Sequence, residues 1–330
     1  MNFVLLFYAI VFACGCYGAY GCPYEPKIKE TVYLETHVFA DNGFLKKYNN
    51  KERDAKIYIV DFWNSVQLRF DNLPFPLKLP LVGITILNDT EDRQVFSGTA
   101  ASANATSSMT NFKNLLDSTS RLNTSDIVYL LTSRSLYGTS AGRKINASGG
   151  FFILGGVCSE HNIAMGIDMP GLFTGFLVAV RHVATLLGAR NDGTNGSKCP
   201  RAGFLMSHSD KYYDLNVFSE CSLQDMDKHL LKINSTRRHC LNRNYTLRDV
   251  RQDFMNETLG VAAEALNKTF RCKAYFGRDI YTCRENTEAC ISTCCKKGHF
   301  LDFTWPAIGV LPTADGQLCD WERSEGNRAR

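Results

Sequence analysis

The stretch Arg181–Gly193, RHVATLLGARNDG, closes the longer apolar run Leu172–Leu187 (LFTGFLVAVRHVATLL). A run that apolar predicts a helix buried on most of its surface, with Pro170 and Gly171 before it and Gly188 ending it. Arg181 and Thr185 stand four apart and share one helical face, whereas His182 lies on another. Taken alone, one Arg and one His among apolar residues describe a core helix with snorkelling polar ends.

Working outward, strands and helices alternate. Thr31–Ala40 is β-branched and aromatic and predicts a strand. Arg53–Phe70 carries apolar residues at helical spacing. Leu79–Leu87 and Ser125–Thr132 are continuous apolar runs, as expected of strands buried on both faces. His161–Asp168 adds a fifth element, and Leu223–Ile233 a last helix. The order implies an α/β layer architecture with a mostly parallel sheet.

The spacing in Arg181–Gly193 is that of a zinc-protease pattern, H-E-x-x-H-x-x-G-x-x-H followed by a methionine turn. There, two His at i and i+4 bind one zinc, and the Glu polarises the metal-bound water. The Gly turns the chain so that a third His completes the site. Leu186–Arg190 (LLGAR), Asp192 and Gly193 fix the frame, and Gly203–Ser207 (GFLMS) matches the methionine turn around Met206. Phe218–Ser222 (FSECS) and Gly155–Ser159 (GGVCS) match two further segments. Over about residues 30 to 245 the chain therefore resembles the reprolysin, or adamalysin, branch of the metzincins. The resemblance implies a zincin fold, a five-stranded mixed sheet plus helices, followed by a small disulfide-rich module. It also implies that Met206 packs beneath the site, that Cys158 pairs with Cys240, and that Cys199 pairs with Cys221.

The metal positions depart from the pattern. In this frame the ligands are Arg181, Thr185 and Asn191, and the Glu position holds His182. Arg stays protonated and offers no lone pair, and its charge repels a dication. Thr and Asn are not usual zinc ligands. No two of the seven His are four apart, so no alternative H-x-x-x-H exists. The expectation is a degenerate site with no catalytic residue, no metal and no cofactor, zinc entering only if a residual metalloendopeptidase activity on extracellular host proteins survives. Arg181 is expected to be paired or wet, because an unpaired buried cation is costly.

Composition sets the compartment. Phe3–Ala13 followed by small residues reads as a signal peptide over residues 1–21, too short to span a bilayer. Asn88, Asn104, Asn123, Asn146, Asn195, Asn234, Asn244, Asn256 and Asn267 all lie in N-x-[ST] sequons, predicting a glycosylated surface. Once Cys14 and Cys16 leave with the signal, eleven of the 13 cysteines remain. Oxidising surroundings make these disulfide partners, and an odd count leaves at least one either unpaired or available for a disulfide-linked dimer. The net charge of +4 is scattered, which argues against nucleic acid.

Cysteine density divides the chain into residues 22–250, the protease-like domain, a linker helix at 251–271, and a cysteine-rich module at 272–330. Cys272–Gly277 (CKAYFG) and Leu311–Cys319 (LPTADGQLC) resemble the module that follows reprolysin domains. The chain ends soon after Cys319, where relatives usually continue with further cysteines. The first strand is expected shortly after the signal, with no latency-conferring pro-segment expected between them. Similarity to salivary metalloproteases of blood-feeding arthropods implies a secreted binder of a host haemostatic or matrix protein. A structural secreted glycoprotein without a partner is the remaining alternative.

Overall fold

The computed structural model describes residues 24–119, 125–147, 150–194, 198–199, 201, 203–207, 217–236, 238–241 and 248–256. It adds the backbone of three C-terminal strands. The expected signal peptide and most of the linker and cysteine-rich module lie outside these residues.

The first strand region is split into β1 (Val32–Tyr33) and β2 (Thr36–Ala40), followed by α1 (Asn42–Lys47) and the long α2 (Glu52–Asp71). Then come β3 (Leu77–Lys78), β4 (Leu81–Ile86) and α3 (Asp89–Val95). A small outer sheet holds β5 (Ser102–Asn104), β7 (Ser135–Ser140) and β8 (Arg143–Asn146). Between its strands lie α4 (Ala105–Ser118) and β6 (Ile127–Thr132); β9 (Ile163–Ile167), α5 (Phe176–Leu186), α6 (Glu220–Thr236) and α7 (Arg238–Leu241) complete the domain. β10 (Ile280–Thr282), β11 (Ser292–Lys297) and β12 (Ala307–Pro312) form an antiparallel sheet.

The central sheet has the order β4-β2-β6-β9, with every pairing parallel. Side chains alternate across a strand, and here the alternation sorts two cores. Val38, Ala40, Ile127, Tyr129 and Leu131 face α2, α5 and α6, whereas Phe39, Val128 and Leu130 face α3 and α4. The result is three layers, helix on sheet on helix. Trp63 and Phe62 of α2 and Phe112 of α4 are fully buried.

Three expectations need correction. The sheet has four strands rather than five: the antiparallel member is reduced to one bridge, Phe151 to Met165, with both amides bonded at 2.8 Å. Gly150 and the Gly155–Gly156 pair flank that short apolar stretch and leave little length for a ladder. β4 is an edge strand, so only Leu81 of it is fully buried and the remaining residues are half-buried. The apolar run reflects packing against helices and not a central position. The buried helix starts at Phe176, four residues later than Leu172, because residues 169–175 form a turn.

The C-terminal ends of β2 and β6, where the strand order reverses, are where open α/β sheets usually take ligands. Here that crevice is filled internally. Arg134 Nη1 reaches Asp41 at 2.9 Å and Nη2 reaches Asp92 at 2.5 Å, with all three residues buried. Thr132 Oγ1 and the Ser133 amide also donate to Asp41, at 2.6 and 2.8 Å. The guanidinium lies 4.2 Å over the Phe96 ring.

Candidate functional site

α5 is launched from the end of β9 by Asp168. This buried carboxylate accepts from Tyr58 Oη at 2.5 Å, from the Gly175 amide at 2.8 Å and from Thr174 Oγ1 at 3.2 Å. It thereby holds the residue preceding the helix, where amides lack carbonyl partners. Burial pushes its carboxyl up to about 6, against the lowering effect of those hydrogen bonds. The same burial, with Asp168 beside it, drives the Tyr58 phenol well above its usual value.

On α5, Ala179, Val180, Val183, Ala184 and Leu186 are fully buried. Arg181 is half-buried, and its Nη2 donates to the Ser207 carbonyl at 2.9 Å. Thr185 is buried and its Oγ1 donates back to the Arg181 carbonyl at 2.9 Å, a bond made within the helix. His182 is turned away toward the sheet. It is 1 % exposed, its Nδ1 lies 3.1 Å from Tyr129 Oη, and its ring sits 4.9 Å from that of Phe152.

The helix ends in a Schellman turn. The Ala189 amide bonds to the Ala184 carbonyl and the Gly188 amide to that of Thr185, both at 2.9 Å, with Gly188 in the left-handed region at φ +98°. A Cβ there would also stand 2.7 Å from the His229 Cβ, so glycine is required twice over. The Thr185 carbonyl accepts a second amide, that of Gly155, at 2.9 Å, and the Leu186 carbonyl accepts that of Val157 at 3.2 Å. That docks segment 150–157 along the helix.

Beyond the turn, the Asp192 amide bonds to the Met206 carbonyl at 2.8 Å, and Asp192 Oδ1 accepts from Ser219 Oγ at 2.6 Å. Ser219 Oγ in turn accepts from the Ser222 amide at 3.1 Å and caps α6. Burial raises the Asp192 carboxyl, opposed by bonds from Ser219 and Ser222 and by the Arg181 cation. Met206 is 1 % exposed. Asn191 is half-buried, and its carbonyl accepts from Thr194 Oγ1 at 2.9 Å. With Arg190, Lys198 and Lys228 it lines a pocket of about 480 Å³ at the start of α6.

The structure thus places Arg181 and Thr185 on one helical face, with Arg181 reaching the methionine loop, puts Asn191 in the lining of a pocket at the start of α6, and takes His182 out of the set. These donors do not fit zinc. A guanidinium bonded to a carbonyl and a hydroxyl bonded within its own helix offer no imidazole or carboxylate to a dication. No step through a metal follows from them.

Two disulfides brace the site. Cys158–Cys240 spans 82 residues with Cα atoms 5.9 Å apart, and Cys199–Cys221 spans 22 with Cα atoms 6.1 Å apart. Asn88, Asn104, Asn146, Asn234 and Asn256 are among the described residues, whereas Asn123, Asn195, Asn244 and Asn267 lie outside them. Sequence reasoning missed the roles of Asp168, Tyr58 and Tyr129. Asp168 ends the apolar run of β9, a place that could have marked it; nothing local marks the tyrosines.

A parallel sheet with helices on both faces, a helix closed by a glycine turn and a buried methionine loop beside it make up a metzincin-type scaffold. The family model "Reprolysin (M12B) family zinc metalloprotease" matches residues 32–244, and the chain belongs to that family. A Bombyx mori relative, "A disintegrin and metalloproteinase with thrombospondin motifs like", is 28 % identical over 226 residues. The match covers 60 % of this chain and 32 % of that protein, so the chain spans about a third of its relative's length. A solved chain described as "Structure of a chaperone-substrate complex" covers 57 % of this chain and 29 % of its own at 14 % identity. Its TM-score of 0.39 is too slight to bear on fold or function.

Proposed function

We propose that this reprolysin-family chain is a secreted, glycosylated protein that has exchanged zinc proteolysis for binding an extracellular protein through its former cleft. The carrying observation is the Arg181 guanidinium at the first ligand position, donating to the Ser207 carbonyl. Where the family pattern has a neutral imidazole, this chain has a permanent cation that bridges the helix to the methionine loop. Zinc catalysis needs a metal to lower the pKa of water and polarise the carbonyl, and the imidazole next to Arg181 in the chain, His182, is buried against Tyr129. Secretion is supported by the disulfides, by the apolar N-terminal run, and by the finding that no helix among the described residues is long and apolar enough to cross a membrane.

The test is cleavage of denatured casein and of a quenched peptide library by purified chain, with added zinc and with a chelator. No chelator-sensitive cleavage is expected. Turnover that o-phenanthroline abolishes and zinc restores would replace this reading with that of a metalloendopeptidase.

A further inference from the structure

We propose that the Cys199–Cys221 bond is a site of thiol exchange, taking a small thiol that carries two carboxylates and one ammonium group, the chemistry of glutathione. It does not depend on whether the cleft binds a protein.

The first observation is access. Cys199 and Cys221 are both half-buried and line the pocket of about 480 Å³ at the start of α6. That volume is in the range of small-molecule sites. Exchange requires such access as well as an ionised attacking thiol.

The second observation is electrostatic, and it separates the two disulfides. The Cys221 amide, in the first turn of α6, donates to Cys199 Sγ at 3.3 Å. Amides of a first turn have no carbonyl partner within their helix, and one aimed at a sulfur favours its thiolate. Lys198 precedes Cys199 in the chain and lines the same pocket. Cys199 is therefore the sulfur poised to leave. Cys240 is its opposite, with Sγ lying 3.0 Å from Oδ1 of the buried Asp126. A thiolate released there would face a carboxylate, and like charges oppose its departure.

In the exchange, an incoming thiolate attacks Cys221 Sγ. The bond between the two cysteine sulfurs breaks, and Cys199 leaves with the electron pair as a thiolate. A mixed disulfide remains on Cys221. One disulfide replaces another, so no oxidant is consumed.

The third observation selects the thiol. Arg190 and Asp225 neutralise each other through two bonds of 3.0 Å, and Asp192 is engaged by Ser219. The other charged side chains of the lining are Lys198, Lys228 and Glu220. Both lysines are exposed. Glu220 accepts from the neutral Gln224 amide at 2.8 Å, which leaves its charge in place. Two cations and one anion are complemented by two carboxylates and one ammonium.

The experiment uses the full glycosylated chain and three thiols: glutathione, cationic cysteamine and neutral 2-mercaptoethanol. Each rate is divided by that thiol's rate on a small uncharged disulfide, which cancels intrinsic nucleophilicity. Free thiols are trapped with N-ethylmaleimide and the products mapped as non-reduced peptides by mass spectrometry. Glutathione is expected to open Cys199–Cys221 at least about tenfold faster than Cys158–Cys240, with the adduct on Cys221 and the trapped thiol on Cys199. It should also outpace cysteamine by about threefold, an advantage that shrinks as salt rises. Lys228→Glu should reverse the order of glutathione and cysteamine. Equal opening of the two disulfides, or an adduct on Cys199 in place of Cys221, overturns the exchange site and needs no variant. Glutathione no faster than cysteamine on the wild-type chain, or an order unchanged by Lys228→Glu, overturns the assignment of the thiol.

Discussion

Gly188→Ala probes the turn on which the whole site geometry depends. Two separable costs are visible at that position. The φ of +98° lies where an L side chain is strained, worth about 1–2 kcal/mol. The added Cβ meets the His229 Cβ at 2.7 Å and its Cγ at 2.9 Å. These are the inner atoms of a side chain on a packed helix and cannot swing aside, so relief requires α5 and α6 to separate. Overpacking of that kind costs about 1–3 kcal/mol, giving a total of roughly 2–5 kcal/mol. The assay is urea denaturation followed by tryptophan fluorescence, with the midpoint shift converted through the slope. His229→Gly in the same background removes the clash and leaves the strain. The double mutant should therefore recover about 1–3 kcal/mol relative to additivity. A loss below about 0.5 kcal/mol for Gly188→Ala, or strict additivity with His229→Gly, would refute the reasoning.

Other consequences are equally open to measurement. Asp168 has its folded-state value raised to about 6 from 3.8, so the folded protein holds this proton more tightly than the unfolded chain. Stability contributed by the protonated form is full below about pH 4 and is lost as pH rises through 6, by about 3 kcal/mol in all. The stability difference between wild type and Asp168→Asn should therefore grow with pH across that window in favour of the variant; a difference flat with pH would contradict it. Arg134→Leu leaves Asp41 and Asp92 buried without their cation and should cost about 3–5 kcal/mol in the same denaturation assay. Glycopeptide mass spectrometry should find glycans on Asn88, Asn146 and Asn256, which are exposed. It should find none on Asn234, whose Oδ1 is buried on α6 with no hydrogen-bond partner among the described residues.

Residue pattern and residue direction were not equally legible. The strands Ile127–Thr132 and Ile163–Ile167 and the helix ending at Gly188 stand out because continuous apolar runs bounded by turn residues have few other uses. α4 was missed because serine, threonine and asparagine dominate Ala105–Ser118. Its buried stripe, Met109, Phe112 and Leu116, shows only at helical spacing. That β4 lies at an edge depends on strand order, which its own composition does not encode. At the site, the motif frame located Arg181, Thr185, Gly188 and Met206 in the chain. It could not say that His182 would turn toward Tyr129, 53 residues away, or that Arg181 would reach the Ser207 carbonyl. Such pairings are set by the packing of α5 on the sheet.

The account turns on what stands at the three ligand positions, and zinc stoichiometry measures that directly. The wild-type chain and a variant carrying Arg181→His, Thr185→His and Asn191→His would be dialysed together against zinc, desalted and analysed by mass spectrometry for metal. His182 stays in the variant, since its buried place against Tyr129 would not accept a carboxylate without cost. The account predicts well under one zinc per wild-type chain and about one per variant chain, because spacing and the Gly188 turn are intact. One zinc per wild-type chain, removed by a chelator, would contradict it. A folded variant that still binds none would contradict the assignment of these three positions.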